Sequence, residues 1–212
     1  MKVFNLVFLI LFMQTLCVMG QSDQKAVKIL DNFSANALGA PSVSMKFLLV
    51  TNDNVENTTD SLNGSVILCK DKYKLDLDDN ITWFDGQTSW SYLSAEKEVT
   101  ITKADKKDNS FQSRPSSIFS MYKKGYKCRL IEERSDSYII DLYPSDLKSE
   151  LVRVRLSIGK TLLNLRNLEY KRKDGIVITL NVKEYNLKVN PMQDTFTFQE
   201  GKFKGVEVND MR

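Results

Sequence analysis

The sequence predicts a mainly β protein of the α+β class, with a curved antiparallel sheet of about 10–11 strands that forms an incomplete barrel. Three observations support this prediction. Apolar and polar residues alternate over most of the chain beyond Pro41, two Asp-Gly pairs separate alternating segments as tight hairpins do, and only two segments have helical patterns. We expect an N-terminal helix and a short lid helix to lie over a hydrophobic cavity inside the sheet.

Composition limits the chemistry that this chain can perform. Its 212 residues include no histidine, which excludes Ser-His-Asp triads, histidine metal sites and histidine general bases. The 30 Lys and Arg residues nearly balance the 27 Asp and Glu residues, whereas a nucleic-acid-binding protein has a strongly basic face. We therefore expect neither catalysis nor nucleic-acid binding, and the sequence indicates no metal or other cofactor.

Residues 1–20 have the pattern of a secretory signal peptide. A lysine precedes an almost wholly apolar run, Val3 to Val18, which ends before a polar stretch. The run is shorter than the roughly 20 apolar residues of a membrane-spanning helix, although a retained N-terminal anchor is an alternative. Cys17 lacks the small preceding residue of a lipidated cysteine. We expect cleavage after Gly20 and one mature domain, residues 21–212.

The N-terminal helix is predicted over Ser22 to Leu38, where apolar residues recur at helical spacing and form one face. These residues are Ala26, Ile29, Leu30, Phe33 and Ala37. Ser22 or Asp23 can cap the first turn. Gly39-Ala40-Pro41 ends the helix, because proline cannot continue its hydrogen bonds.

Beyond the helix the sequence alternates with a period of two. In Lys72 to Asp78 every second residue is apolar and the residues between are charged, which is typical of an antiparallel strand with one solvated face. Similar alternation surrounds Val99, Cys128, Ile140 and Val154. These segments predict the strands of the sheet.

Two Asp-Gly pairs predict hairpin turns within this series, Asp85-Gly86 and Asp174-Gly175. The alternation also changes phase, first between Leu165 and Leu168 and again shortly after Val182. Such slips are typical of β-bulges, which bend a sheet. We therefore expect the sheet to be strongly curved.

The predicted lid helix follows a polar segment that runs from Lys103 to Arg114. Pro115 can begin the helix and Gly125 ends it. The helix is more apolar than a short surface helix needs to be, so we interpret it as a lid, with an ordinary packed helix as the alternative. Its apolar residues are Ile118, Phe119, Met121 and Tyr122.

The predicted cavity lining consists of apolar side chains at alternate strand positions. These residues are Phe47, Tyr73, Leu75, Leu77, Trp90, Tyr92, Val99, Ile101, Ile140, Leu142, Val154 and Leu156. Trp90 and Tyr92 share one face of their strand and are expected to point inward together, either as core or against a bound apolar ligand. The face of Trp83 depends on the register of the neighbouring turn.

Acidic and thiol side chains are the remaining candidates for chemistry. Asp76 and Asp78 lie on the polar face of a strand, where we expect no apolar surroundings to raise a carboxyl pKa for catalysis. Cys69 and Cys128 can form a disulfide in an exported protein, or remain free as small buried apolar residues. The sequence leaves both cysteine states open.

Three motifs, in order along the chain, resemble the bacterial outer-membrane lipoprotein carrier family LolA. Gly64 to Lys70, continuing into Lys72 to Leu75, resembles the strand pair near the start of that family. Phe84 to Tyr92, with an Asp-Gly turn followed by Trp-x-Tyr, resembles its most recognisable hairpin. Phe196 to Phe198 and Gly205 to Val208 resemble its closing strand and tail.

This resemblance implies a function as well as a fold. Members of the family are incomplete barrels with a helical lid over a hydrophobic cavity, and they work in the periplasm. They accept triacylated lipoproteins from an inner-membrane ATP-driven exporter and carry the acyl chains to an outer-membrane acceptor. By resemblance we expect the same of this chain, as a monomer. The alternative is an exported β-rich sensor or interaction domain that binds lipid or protein without transport.

One position departs from the family pattern. Better-known members have an arginine, followed by proline, that ties the lid to the barrel, and the matching position here is Lys70, followed by Asp71. Lysine offers a point charge instead of a planar fork of donors. Lys70 is therefore a candidate for lid gating, with a weaker or different latch.

Overall fold

The structure is a computed structural model that describes residues 22–104, 111 and 113–212. The predicted signal peptide, residues 1–20, lies outside the described residues, as does most of the polar segment before Pro115. In the described part of the chain, no helix combines the length and apolar character that crossing a bilayer requires.

The described residues form one helix, α1 (Gln24–Gly39), and a sheet of twelve strands. The strands are β1 (Val43–Asp53), β2 (Thr58–Cys69), β3 (Lys72–Leu77), β4 (Asn80–Phe84), β5 (Thr88–Leu93), β6 (Glu98–Lys103), β7 (Tyr126–Glu133), β8 (Ser137–Pro144), β9 (Leu151–Gly159), β10 (Leu165–Arg172), β11 (Ile176–Asn186) and β12 (Glu207–Asp210). Their order in the sheet is β12-β6-β5-β4-β3-β2-β1-β11-β10-β9-β8-β7. The sheet is curved and does not close, which confirms the predicted incomplete barrel.

The hairpins and bulges that the sequence predicts are present. One carboxylate oxygen of Asp85 accepts hydrogen bonds from the backbone N–H groups of Gln87 and Thr88, at 2.9 and 2.8 Å. Gly86 follows with a φ of +101°, a conformation that favours glycine. The register shifts beyond Leu165 in β10, and opposite Lys46 and Phe47 in β11, which are the two places where the alternation changes phase.

Two predictions about the C-terminal half need correction. Phe196 to Phe198 do not form a closing strand, because Gln193–Phe196 is a 3₁₀ helix and its aromatic neighbours pack on the sheet. The strand that follows, β12, pairs with β6 in parallel, so the sheet is not wholly antiparallel. The sheet has twelve strands, close to the predicted number of about 10–11.

The N-terminal helix begins and packs as its pattern predicts. Asp23 is the N-cap, and its side chain accepts hydrogen bonds from the backbone N–H groups of Lys25 and Ala26. The same carboxylate accepts a bond from the N–H of Leu130 on β7, while Ser22 Oγ accepts one from the N–H of Cys128. The start of α1 thus covers part of the β7 edge of the sheet.

The predicted lid helix is two 3₁₀ helices instead, Pro115–Phe119 and Met121–Lys123. A segment this short gains few α-helical hydrogen bonds to offset the cost of its first turn, and 3₁₀ geometry is common in such pieces. We call residues 115–123 the lid segment.

The hydrophobic core lies on one face of the sheet, which we call the inner face. Helix α1 and the lid segment pack against it, and the opposite face is called the outer face. Gly64 allows Phe47 to lie across β2, since a Cβ at this glycine would overlap the Phe47 ring. The core therefore extends from the middle of the sheet under α1 and the lid segment.

Candidate functional site

Strand register decides which predicted residues lie on the inner face. Side chains of directly paired residues point to the same face of a sheet. Trp90 pairs with Trp83 on β4, and Trp83 pairs in turn with Lys74 on β3. Lys74 is the neighbour of Tyr73 and Leu75, both of which are buried in the inner-face core. Trp83 and Trp90 therefore lie on the outer face.

For the same reason, the prediction assigned four residues of the cavity lining to the wrong face of the sheet. Tyr92, two residues from Trp90, shares its face, and Val99 and Ile101 pair directly with Tyr92 and Trp90. All four side chains lie on the outer face, and the prediction that they line the inner cavity is wrong. On the inner face, the positions between these residues carry hydroxyl side chains, Ser89, Ser91, Thr100 and Thr102, with Leu93 and Glu98 at one end.

The outer-face aromatic residues form a second apolar cluster beneath the C-terminal segment. The ring of Trp83 lies 5.6 Å from those of both Phe198 and Phe203, and Tyr92 lies 4.7 Å from Phe203. Trp83 and Phe196 are each 5% exposed. We call Trp83, Tyr92, Phe198 and Phe203 the outer cluster. It holds the C-terminal segment to the sheet.

The other eight predicted lining residues lie together at the inner face. Seven are buried within its core and Leu77 packs at the edge. The seven are Phe47, Tyr73, Leu75, Ile140, Leu142, Val154 and Leu156. Strands from both halves of the sheet thus bring these side chains into one apolar surface.

The lid segment fills the space above that surface. Ile118 and Phe119 are each 1% exposed and Tyr122 is 5% exposed, while Met121 is partly buried. The ring of Phe119 lies 5.5 Å from that of Phe33 on α1. In this closed arrangement, the protein's own side chains occupy the interior between sheet, helix and lid segment.

A hydrogen bond ties the lid segment to α1. The hydroxyl of Tyr122 donates to Asp31 at 2.5 Å. Burial raises the pKa of Tyr122 above its usual value, and the bond to Asp31 adds to this. Sequence reasoning missed this latch because Asp31 lies on the exposed side of α1, and its partner is distant in sequence.

Replacing Tyr122 by phenylalanine should loosen the lid segment with little effect on the rest of the fold. The change removes one hydrogen bond to a charged group, and we expect a loss of about 1.5–3 kcal/mol in the free energy of unfolding. Urea denaturation measures this loss. Asp31→Asn is the matched control, since it keeps a hydrogen-bond acceptor and should lose less; an equal loss would contradict the latch.

Lys70 lies in the turn between β2 and β3. Its φ is +57° and its side chain is exposed. Lys70 makes no hydrogen bond or ion pair to another described residue, so the contact between α1 and the lid segment described above does not involve it. Its part in lid gating stays a prediction.

A cavity of about 710 Å³ opens beside Lys70, at the end of the sheet where β2 and β4 end and β3 and β5 begin. Its apolar floor consists of Leu68, Tyr73 and Phe84, which are paired in register on the inner face. The rings of Tyr73 and Phe84 are 5.4 Å apart. Arg114, directly before the lid segment, also lines the cavity. The site thus combines an apolar floor with a basic margin.

The remaining candidates for chemistry are separate from this cavity. Cys69 and Cys128 are both free, and burial raises the pKa of the Cys128 thiol. Burial also raises the pKa of Asp76, with a smaller contribution from Asp78, in contrast to the expectation that its strand face is fully solvated. Within the described ranges, no three Cys, Asp or Glu side chains converge as a metal ion would require.

Comparison with known proteins agrees with this geometry. A model of the family described as outer membrane lipoprotein carrier protein LolA matches residues 16–162. No curated protein matches the chain in sequence. An uncharacterized conserved protein from Thermus thermophilus is similar in structure, with a TM-score of 0.59 at 14% identity over 88% of this chain and 99% of that one. This likeness shows a shared fold.

Two further solved structures are similar to a lesser degree. One is a putative outer membrane lipoprotein-sorting protein domain from Vibrio parahaemolyticus, with a TM-score of 0.44 at 12% identity over 82% of this chain and 96% of that one. The other is a LolA superfamily protein from Nitrosomonas europaea, with a TM-score of 0.42 at 14% identity over 82% of this chain and 97% of that one.

Proposed function

The chain belongs to the outer membrane lipoprotein carrier protein LolA family, and we propose that it is a periplasmic carrier of lipoproteins. Lipoprotein acyl chains bind between the inner face and the lid segment. One observation carries this proposal: a broad apolar sheet face is closed by α1 and by two short 3₁₀ helices. Such helices are short and have poorer hydrogen-bond geometry than an α-helix, so displacing the lid segment breaks few backbone hydrogen bonds.

The closed interior supports reversible binding. Each methylene group that moves from water into the apolar interior contributes about 0.8 kcal/mol, so acyl chains can replace the lid side chains there. The buried side chains of the lid segment, Phe119 above all, return when the chains leave. Reclosure of the lid over the inner face therefore offsets part of the binding energy and permits release.

The proposed route follows from this reversibility. Residues 1–20 are a signal peptide cleaved after Gly20, and residues 21–212 act as a monomer. This domain accepts triacylated lipoproteins from an inner-membrane ATP-driven exporter and delivers them to an outer-membrane acceptor. Binding and release involve no covalent step, so the function requires neither catalytic residues nor a cofactor.

A transfer assay with vesicles tests the proposal. The purified exported protein is mixed with vesicles that contain a fluorescent peptide bearing an N-terminal triacylated cysteine, and flotation separates vesicles from protein. We expect the peptide to leave the vesicles as a soluble complex with the protein. The same peptide without acyl chains is the control, and it should remain unbound.

The second half of the assay distinguishes transport of the peptide from binding alone. Peptide-free acceptor vesicles are added to the purified complex, and the peptide should move to them. Retention of the peptide by the protein would identify a sensor or interaction domain instead of a carrier. Failure to extract the acylated peptide at all would overturn the proposal.

A further inference from the structure

We propose that the cavity of about 710 Å³ beside Lys70 binds an acyl chain that ends in an anionic group. The tail lies against Leu68, Tyr73 and Phe84, and the anionic group lies at the basic margin. This inference rests on the proposed function, because the ligand shares the acyl chain of the proposed cargo, and it goes beyond that function by adding an anionic head group that a triacylated cysteine lacks.

The floor of the cavity suits an alkyl chain. Leu68 is 4% exposed and Tyr73 is 5% exposed, so both are held rigidly by the core beneath. The Phe84 ring lies beside Tyr73 and is half-buried. A volume of about 710 Å³ lies within the range of roughly 300–1,000 Å³ that small-molecule sites have.

The margin of the cavity is strongly basic. Among the described residues, four cationic residues line it against one carboxylate, Asp71. The cations are Lys70, Lys72, Lys103 and Arg114. Exposed charges act over a Debye length of about 10 Å at moderate salt, so the three exposed lysines, Lys70, Lys72 and Lys103, favour an anion at the mouth.

The four cations do not contribute equally. Lys72 pairs with Cys69 and Lys103 pairs with Thr88. Both lysines are next to inner-face residues of their strands, so their side chains leave the backbone on the outer face. Lys70 lies in the turn at the mouth, is exposed, and makes no ion pair with another described residue. It is therefore the cation best placed to meet the anionic group.

Binding measurements with three single-chain lipids test this assignment. The probes are oleate, which carries a carboxylate, oleoyl lysophosphatidylglycerol, which carries a phosphate, and monoolein, which is neutral. We expect both anionic lipids to bind the wild-type protein more tightly than monoolein does, and increasing salt to weaken only the anionic lipids. Inorganic phosphate alone should not bind, since it has no tail. A preference for one anionic lipid identifies a carboxylate or a phosphate as the favoured head.

Charge reversal at the mouth provides the decisive comparison. Lys70→Glu should weaken binding of the anionic lipids about five- to tenfold and leave monoolein unchanged. Lys148→Glu, at an exposed position in the loop between β8 and β9, makes the same change in net charge and should alter neither. Equal effects of the two variants would overturn the proposal by showing a general effect of charge.

A second variant at Lys70 separates binding from folding. Lys70→Gly removes the charge, and glycine favours the positive φ of this turn. The thermal midpoint should not fall, while anionic lipids bind less tightly. If the wild-type protein binds all three lipids equally, the inference fails and the carrier function stands. If it binds none, the inference also fails, and extraction of the acylated peptide from vesicles decides the carrier function separately.

Discussion

Replacing Phe119 by alanine should lower the free energy of unfolding by about 3–5 kcal/mol. Phe119 is 1% exposed and packs against Phe33 of α1. Removing its ring leaves an apolar cavity between the lid segment and the inner face, and the surroundings can collapse only partly into it. Urea denaturation of the two proteins without lipid measures this loss.

The same variant should bind acyl chains more tightly than the wild type. In the proposed function, a chain must displace Phe119 from the interior, whereas the variant has already lost this ring. A ligand at 100 times its dissociation constant stabilises the folded state by about 2.7 kcal/mol. We therefore expect saturating monoolein to restore much of the variant's lost stability and to stabilise the wild type less.

Phe196→Ala provides the matched control for this experiment. Phe196 is 5% exposed, but it lies in the 3₁₀ helix Gln193–Phe196, which contacts β3 and β4, and not in the inner-face core. Its replacement should also destabilise the protein, with no gain in affinity for monoolein. An equal gain in both variants would indicate that lipid binds any destabilised form, and would contradict binding beneath the lid segment.

The two clusters also show how far the sequence could predict this structure. Alternation identified Trp90, Tyr92, Val99 and Ile101 correctly as residues of a shared face. Alternation could not determine which of the two faces the main core covers, because other parts of the chain cover residues on both faces of β4 to β6. The cover on the outer face comes from the C-terminal segment, about 100 residues later in the chain, a distance over which periodicity carries no information.

The lid segment was predictable in position and composition but less so in its contacts. Proline and glycine marked its ends, and its apolar residues are buried as their number indicated. The bond between Tyr122 and Asp31 depends on how α1 crosses the segment. Such a crossing is set by packing of the whole core, whereas sequence spacing gives only the face of each element.

A buried ion cluster on the outer face was likewise absent from the sequence analysis. Asp141 on β8 is 1% exposed, and Arg155 of β9 donates to both of its carboxylate oxygens, at 2.7 and 2.8 Å. The Tyr143 hydroxyl donates to the same carboxylate at 3.1 Å. Arg153 lies 3.5 Å from it and also pairs with Glu169 of β10. The cluster thus links three adjacent strands.

Replacing Asp141 by alanine should therefore destabilise the fold by about 2–4 kcal/mol at neutral pH, because two arginines lose their shared buried partner. Urea denaturation measures this loss. Arg155→Met is the informative second variant. It leaves the carboxylate buried beside Arg153 alone, and a loss near zero would show that the cluster contributes little.

The loss caused by Asp141→Ala should shrink as the pH falls. Burial alone would raise the pKa of Asp141, but the hydrogen bonds and charges of Arg155 and Arg153 hold it below its usual value. A carboxyl with a lowered folded pKa stabilises the protein above its unfolded pKa of about 3.9, and this contribution disappears as the pH falls through the folded value. Wild type and variant should therefore converge in stability below about pH 4. A difference that stays constant from pH 7 into that range would show that Asp141 acts through packing instead of charge.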